Sequence, residues 1–221
     1  MCFSAAASFS AGAVLTGVGI VTFQKSKPEQ RWFGTIPFLF GTQQIIEGLL
    51  WLCLEHHLMS AQWASIWTYA FLFIAQVIWP IWVPFSIIHM QPKLDRSLLQ
   101  KSLLVLGGIL SAYLWISLMV FPVEAKISGH HILYVQDYPP RITQWSGLIY
   151  VLVTIIPSFL SPLNKMKWLG VFVLLSYMIT AFFYEGYVVS VWCFFASLIS
   201  VVVLYVIQAN RKIIPSLTPS E

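Results

Sequence analysis

A carboxylate and two carboxamides, Glu47, Gln43 and Gln44, stand inside an otherwise apolar run from Phe33 to Leu54. In hydrocarbon an ionisable side chain costs roughly 2.5 to 3.5 kcal/mol on insertion scales, so such an acid needs a partner, a proton or a bound cation. Separations of four and three residues place Gln43 and Gln44 on the Glu47 side of a helix, and Trp51 continues that face by one turn. The chemistry available is reversible protonation, or binding of a cation or small polar ligand, with Gln43, Gln44 and Gln76 supplying hydrogen bonds. The competing reading is interhelical adhesion, in which a protonated Glu47 and the two amides simply bond neighbouring helices.

Cys193 lies six residues from Tyr187, and Glu47 seven from Leu54. At 1.5 Å per residue both sit roughly 10 Å in from the same end of their helices. Trp192 and Cys193 therefore join the candidate ligand-binding set, although the apolar setting VSVWCFFA suits a buried thiol better than a nucleophile. A second constellation gathers Cys2, His56, His57, His130, His131 and Glu185 towards that end. Imidazole, thiolate and carboxylate together suit zinc or copper. Paired loop histidines without HExxH or HxxxH spacing are a weak metal signal, and the favoured reading is surface residues at a membrane boundary.

The elements that must position these groups follow from composition. Hydrophobic residues make up 58% of the 221 and charged residues 9%, with mean hydropathy +0.80. A soluble domain carries about a quarter of its residues charged, so the chain is read as an all-α polytopic membrane protein. Seven apolar runs approach the ~20 residues that span a bilayer core: Ser4 to Phe23, Phe33 to Leu54, Trp63 to Ile88, Leu98 to Phe121, Ile142 to Leu163, Trp168 to Tyr184 and Tyr187 to Ala209. Glu185-Gly186 is the expected turn between the last two. Ten of the 12 Lys and Arg fall on one side of this seven-helix bundle, which predicts the N-terminus outside and the C-terminus in the cytoplasm. Residues 1–212 form a single membrane domain, and 213–221 are expected to be a disordered tail.

Within that frame, Ser4, Ser8, Gly12 and Thr16 form a small-residue stripe suited to close helix packing inside the bundle. The segment WPIWVP, from Trp79 to Pro84, predicts a kink. In the long connection between Pro122 and Arg141, alternating Ile132, Tyr134 and Gln136 predict a short extended lid.

Several functions lack their residues. The basic residues sit in short clusters rather than along a face, which excludes a nucleic-acid partner. No CxxC pair, Walker-type loop or GxSxG elbow occurs. No lysine lies within a span, so a retinal Schiff base has no site.

The segments MCFSAAASFSAG, PFLFGTQQIIEGLLW, WPIWVP and VSVWCFFASLIS together resemble an uncharacterised family of small, mostly bacterial integral membrane proteins that open with Met-Cys-Phe-Ser-Ala. The resemblance covers essentially the whole chain and matches at Cys2, Gln43, Gln44, Glu47, Trp79, Pro80, Trp192 and Cys193. It implies one multi-pass domain, a bacterial inner-membrane location and no assigned activity. The functional expectation is a membrane-embedded sensor or small transporter with an outward-facing polar pocket centred on Glu47. The alternatives are a membrane metalloenzyme holding zinc or copper at the outer face, and a purely structural subunit.

Overall fold

The computed structural model describes residues 4–56, 61–92 and 96–210, and within them every side chain except those of 56, 140–144, 185, 196 and 198. The expected tail at 213–221 lies outside the described residues, as do Cys2 and His57.

Helix α1 (Ala5–Lys25) starts at Ser4, whose Oγ accepts the Ala7 amide at 3.2 Å. A 3-10 turn at Pro28–Gln30 and a single turn, α2 (Arg31–Gly34), lead into α3 (Ile36–His56). Next come α4 (Ala61–Leu72), a π-helical segment (Phe73–Ile78) and α5 (Trp79–Met90), which continue into one another. Helix α6 (Leu98–Val120) begins with a reciprocal cap between Ser97 and Gln100. Two strands, β1 (Val123–Ser128) and β2 (His131–Gln136), precede α7 (Pro140–Leu160), α8 (Met166–Phe183), a 3-10 turn at Glu185–Tyr187 and α9 (Val188–Asn210). The expected break at Glu185-Gly186 is therefore present.

Among the described residues six stretches are long and apolar enough to cross a membrane: Ala5–Lys25, Pro28–Glu55, Ala61–Met90, Leu98–Val120, Met166–Phe183 and Val188–Asn210. Helix α7 contributes a shorter apolar stretch, Trp145–Leu160. The polarity pattern is that of a protein solvated by hydrocarbon. Val14, Val105, Ile109, Met119 and Phe182 face outward, while Ser8, Gln30, Gln43, Gln44, Glu47 and Gln100 are fully buried. Polar groups that lipid cannot hydrogen-bond are placed where a neighbouring helix can.

The all-α expectation needs one correction, because the expected lid strand is half of an antiparallel hairpin. Ser128 pairs with His131 and Val123 with Gln136, and Gly129, at φ +61°, opens the two-residue turn. The partner strand VEAKIS was missed because its short alternating pattern carries little apolar weight.

Close packing of α1 on α3 uses the small-residue stripe, as expected. A Cβ on Gly12 would fall 2.8 Å from Ile45 and 3.2 Å from the Gly41 carbonyl, and one on Gly41 would fall 2.8 Å from the Thr16 hydroxyl.

The proline-rich segment behaves differently from a simple kink. Pro80 has no N–H, which in the five-residue π register is the donor for the Ala75 carbonyl. The Tyr150 hydroxyl donates to that carbonyl instead, and Ser111 Oγ donates to the Val77 carbonyl at 2.7 Å. Side chains of α6 and α7 thus support the backbone irregularity, and Gln76 is presented at its centre.

At the end opposite the hairpin, polar side chains join the helix termini. Asn210 accepts from the Asn164 amide at 2.9 Å and donates to its carbonyl at 2.8 Å. Gln91 donates to Ser161 at 3.0 Å, and Gln30 to the Ile207 carbonyl at 3.1 Å.

Candidate functional site

Two polar assemblies lie towards the hairpin end. The first is sealed. Glu47 Oε1 accepts from Ser190 Oγ at 2.7 Å and Oε2 from Gln44 Nε2 at 3.3 Å. Gln43 Oε1 accepts from Trp79 Nε1 at 2.9 Å, and Phe40 stacks on that indole at 4.0 Å. The Ser190 to Glu47 hydrogen bond joins α9 to α3 at this level. Gln43, Gln44, Glu47 and Ser190 are all 0% exposed.

The second assembly lines a cavity. A chamber of about 250 Å³ is bounded by Gln76, Gln136, Tyr138, Ser146, Tyr177 and Trp192, among others. The hairpin forms its roof: Gln76 Nε2 donates to Gln136 Oε1 at 3.1 Å and the Tyr138 hydroxyl to Gln76 Oε1 at 3.4 Å. Tyr134 stacks on Phe71 at 4.9 Å, which holds β2 against α4. On the other side, the His131 ring lies 4.9 Å from that of Tyr187, and Ser128 Oγ is 2.8 Å from the Tyr187 hydroxyl.

Deeper in the bundle is a second cavity of about 80 Å³, walled by apolar side chains such as Phe33, Phe40, Val83, Leu169 and Val203. Tyr150, Trp192 and Cys193 line both cavities and so form the partition between them. Trp192 Nε1 donates to Ser176 Oγ at 3.2 Å, and its ring meets Tyr150 and Tyr177 edge-on at 5.6 and 5.1 Å.

A family model matches residues 1–217. The chain belongs to DUF6629, a family of unknown function. The expectation of an uncharacterised family covering the whole chain is met. No curated protein and no solved structure matches, so the DUF6629 site must be interpreted from its own geometry.

Of the candidates, Gln76, Trp192 and Cys193 line the chamber. Glu47, Gln43 and Gln44 line neither cavity and stand one layer behind Cys193 and Trp79. Gln76, expected beside Glu47, instead bonds to Gln136 and Tyr138. The metal candidates are placed only in part. Cys2 and His57 lie outside the described residues, and the side chains of His56 and Glu185 are likewise not described. His130 is exposed at the hairpin turn, whereas His131 is half-buried on the next position of β2, where successive side chains point to opposite faces. Among the described residues no three His, Cys, Asp or Glu form a group able to hold a metal.

Sequence reasoning missed Gln136, Tyr138, Ser146, Tyr150 and Tyr177 as chamber residues. A signal for two of them was present: Ser146 and Tyr150 belong, with Thr154 and Ser158, to a polar stripe that recurs every four residues along α7 and faces both cavities.

Docking of the hairpin is expected to depend on pH through His131. Burial, with His130 beside it, holds this imidazole below its ordinary 6.5. The docked hairpin therefore prefers neutral His131, and its stability is fully present above about pH 6.5 and falls as acidification protonates the undocked form first. Amide exchange in β2, corrected for intrinsic rate, should accelerate from about pH 7.5 to pH 5.5. His131→Phe should flatten that dependence. Protection that does not change with pH in the parent would show that His131 does not control docking.

Proposed function

We propose that this chain is a seven-span membrane binding module, a sensor or small transporter, whose pocket is the chamber beneath the hairpin. Helix α7, 21 residues long, is taken as the seventh crossing between α6 and α8. Lys25, Lys27, Arg31, Arg96, Lys101, Lys165 and Lys167 lie at the helix ends away from the hairpin, whereas Lys126 is paired with Glu124 on β1. The positive-inside rule then puts the hairpin outside and the basic turns in the cytoplasm, in a bacterial inner membrane.

One observation carries the reading: the polar side chains of Gln76, Gln136, Tyr138, Ser146 and Tyr177 converge on a chamber of about 250 Å³ beneath the hairpin. Pockets with mostly apolar or aromatic walls and a few placed polar groups are the usual form of small-ligand sites. Glu47, held behind Cys193, supplies a proton-accepting or electrostatic element to the same region.

Accessibility of Cys193 tests the reading. The chain has three cysteines, so Cys2→Ser with Cys53→Ser leaves Cys193 alone. A small uncharged thiol reagent, methyl methanethiosulfonate, added from outside is expected to modify it. A Cβ on Gly147 meets nothing within 4 Å and the residue lines the chamber, so Gly147→Trp should fill the space and slow labelling about tenfold or more. Failure to label from outside, or labelling indifferent to Gly147→Trp, would overturn the pocket.

A further inference from the structure

The hydrogen bonds on the chamber wall run in one direction and stop short. Tyr138 donates to Gln76 and Gln76 donates to Gln136 Oε1, but Gln136 Nε2 is buried with no partner. A buried amide donor left unpaired is unfavourable, and this one belongs to a residue that lines the chamber. The missing group is an acceptor.

Charge is missing as well. Among the described residues no Asp, Glu, Lys, Arg or His lines either cavity, so an ionic head group would be desolvated without a counter-charge. Below the partition the second cavity offers almost only carbon. Its Thr154 hydroxyl is already bonded to the Tyr150 carbonyl at 2.7 Å, within its own helix. Polar space therefore lies beside apolar space, and both touch Tyr150, Trp192 and Cys193.

We infer that the pocket takes a small neutral amphiphile, its carbonyl or ether oxygen accepting from Gln136 Nε2 and its alkyl tail passing Trp192 into the deeper cavity. This rests on the pocket reading above and adds the chemical class of the ligand. The aromatic walls, Tyr138, Tyr177 and Trp192, suit the junction between head and tail, because each combines apolar area with a polar atom.

Decanamide is the probe, and decylammonium, of matching chain length, the control. In nanodiscs carrying the Cys2→Ser, Cys53→Ser protein, Cys193 is allowed to react with neutral methyl methanethiosulfonate, followed by intact mass. Decanamide is expected to slow the reaction at least fivefold and decylammonium to leave it within twofold. A reciprocal variant that keeps only Cys53 controls for general effects on the bilayer and should be indifferent to both.

Gln136→Glu keeps an oxygen for Gln76 but replaces the free donor with an acceptor. It should abolish protection by decanamide, read as the ratio of the rates with and without probe in that same variant. Gln76→Leu, which leaves the Gln136 amide in place, should retain at least partial protection. Equal or stronger protection by decylammonium in the parent would overturn the neutral class. Protection by neither probe, or protection unchanged in Gln136→Glu, would overturn the inference while leaving the pocket standing. A Cys193 that reacts with nothing would overturn both.

Discussion

Replacing Glu47 by Leu is expected to destabilise the bundle by roughly 2 to 6 kcal/mol, about 1–3 for each buried donor that loses its acceptor. Ser190 Oγ on α9 and Gln44 Nε2 on α3 both donate to this carboxylate. Interhelical hydrogen bonds in membranes average only about 0.6 kcal/mol, because the unfolded chain in the bilayer finds other partners. The larger figure applies here because all three residues are 0% exposed, so neither lipid head groups nor water can replace the carboxylate. Glu47→Gln retains one carbonyl acceptor and should cost less than about 2 kcal/mol. Reversible unfolding in bicelles measures both. A loss near 1 kcal/mol for Glu47→Leu would mean that water reaches the cluster. Glu47→Gln then separates adhesion from function: a folded protein that has lost its response to protons or ligand assigns Glu47 a functional part, whereas unchanged behaviour leaves it as interhelical glue.

The second large effect lies on α6. A Cβ at Gly107 would stand 2.1 Å from the Pro80 carbonyl oxygen and 3.1 Å from its carbon. Pro84 supplies no N–H to that carbonyl, and the missing donor and missing side chain together let the two backbones meet. Gly107→Ala must therefore push α5 from α6. Overpacking costs typically about 1–3 kcal/mol, and a clash with backbone rather than a flexible side chain places this change at or above the upper figure. Displacement of α5 would also disturb the π segment and Gln76, so Cys193 labelling should change in parallel. Gly108→Ala is the control. Nothing lies within 4 Å of its added Cβ, and it should be neutral or stabilising by up to about 1 kcal/mol, the mid-helix advantage of Ala over Gly. Equal effects at the two neighbours would show that helix propensity, not the Pro80 contact, governs this seam.

Much of the architecture was legible because a bilayer enforces it. An apolar run either reaches across or does not, so the helical stretches Ala5–Lys25, Leu98–Val120 and Val188–Asn210 nearly coincide with the runs read from composition. The stripe ending in Thr16 was legible for a related reason, since only small residues allow backbones to approach that closely. The common depth of Glu47 and Cys193 followed from helix rise alone.

Lateral relations were not legible. Depth is written in sequence as a residue count, but which helices adjoin at that depth depends on packing between segments distant in the chain. Ser190 meeting Glu47, and Trp79 meeting Gln43, are facts of that kind. So is the placement of Gln76, which a register change of one residue turns towards Gln136 and Tyr138 rather than Glu47. The sequence by itself determined an apolar, polytopic chain with an acid and two amides buried at a known level, because hydrophobic length and rise per residue are local properties. Only the tertiary structure decided that this acid lies behind the chamber instead of within it, because a cavity is the space left after α5, α6, α7, α8, α9 and the hairpin have packed, and no single segment encodes that remainder.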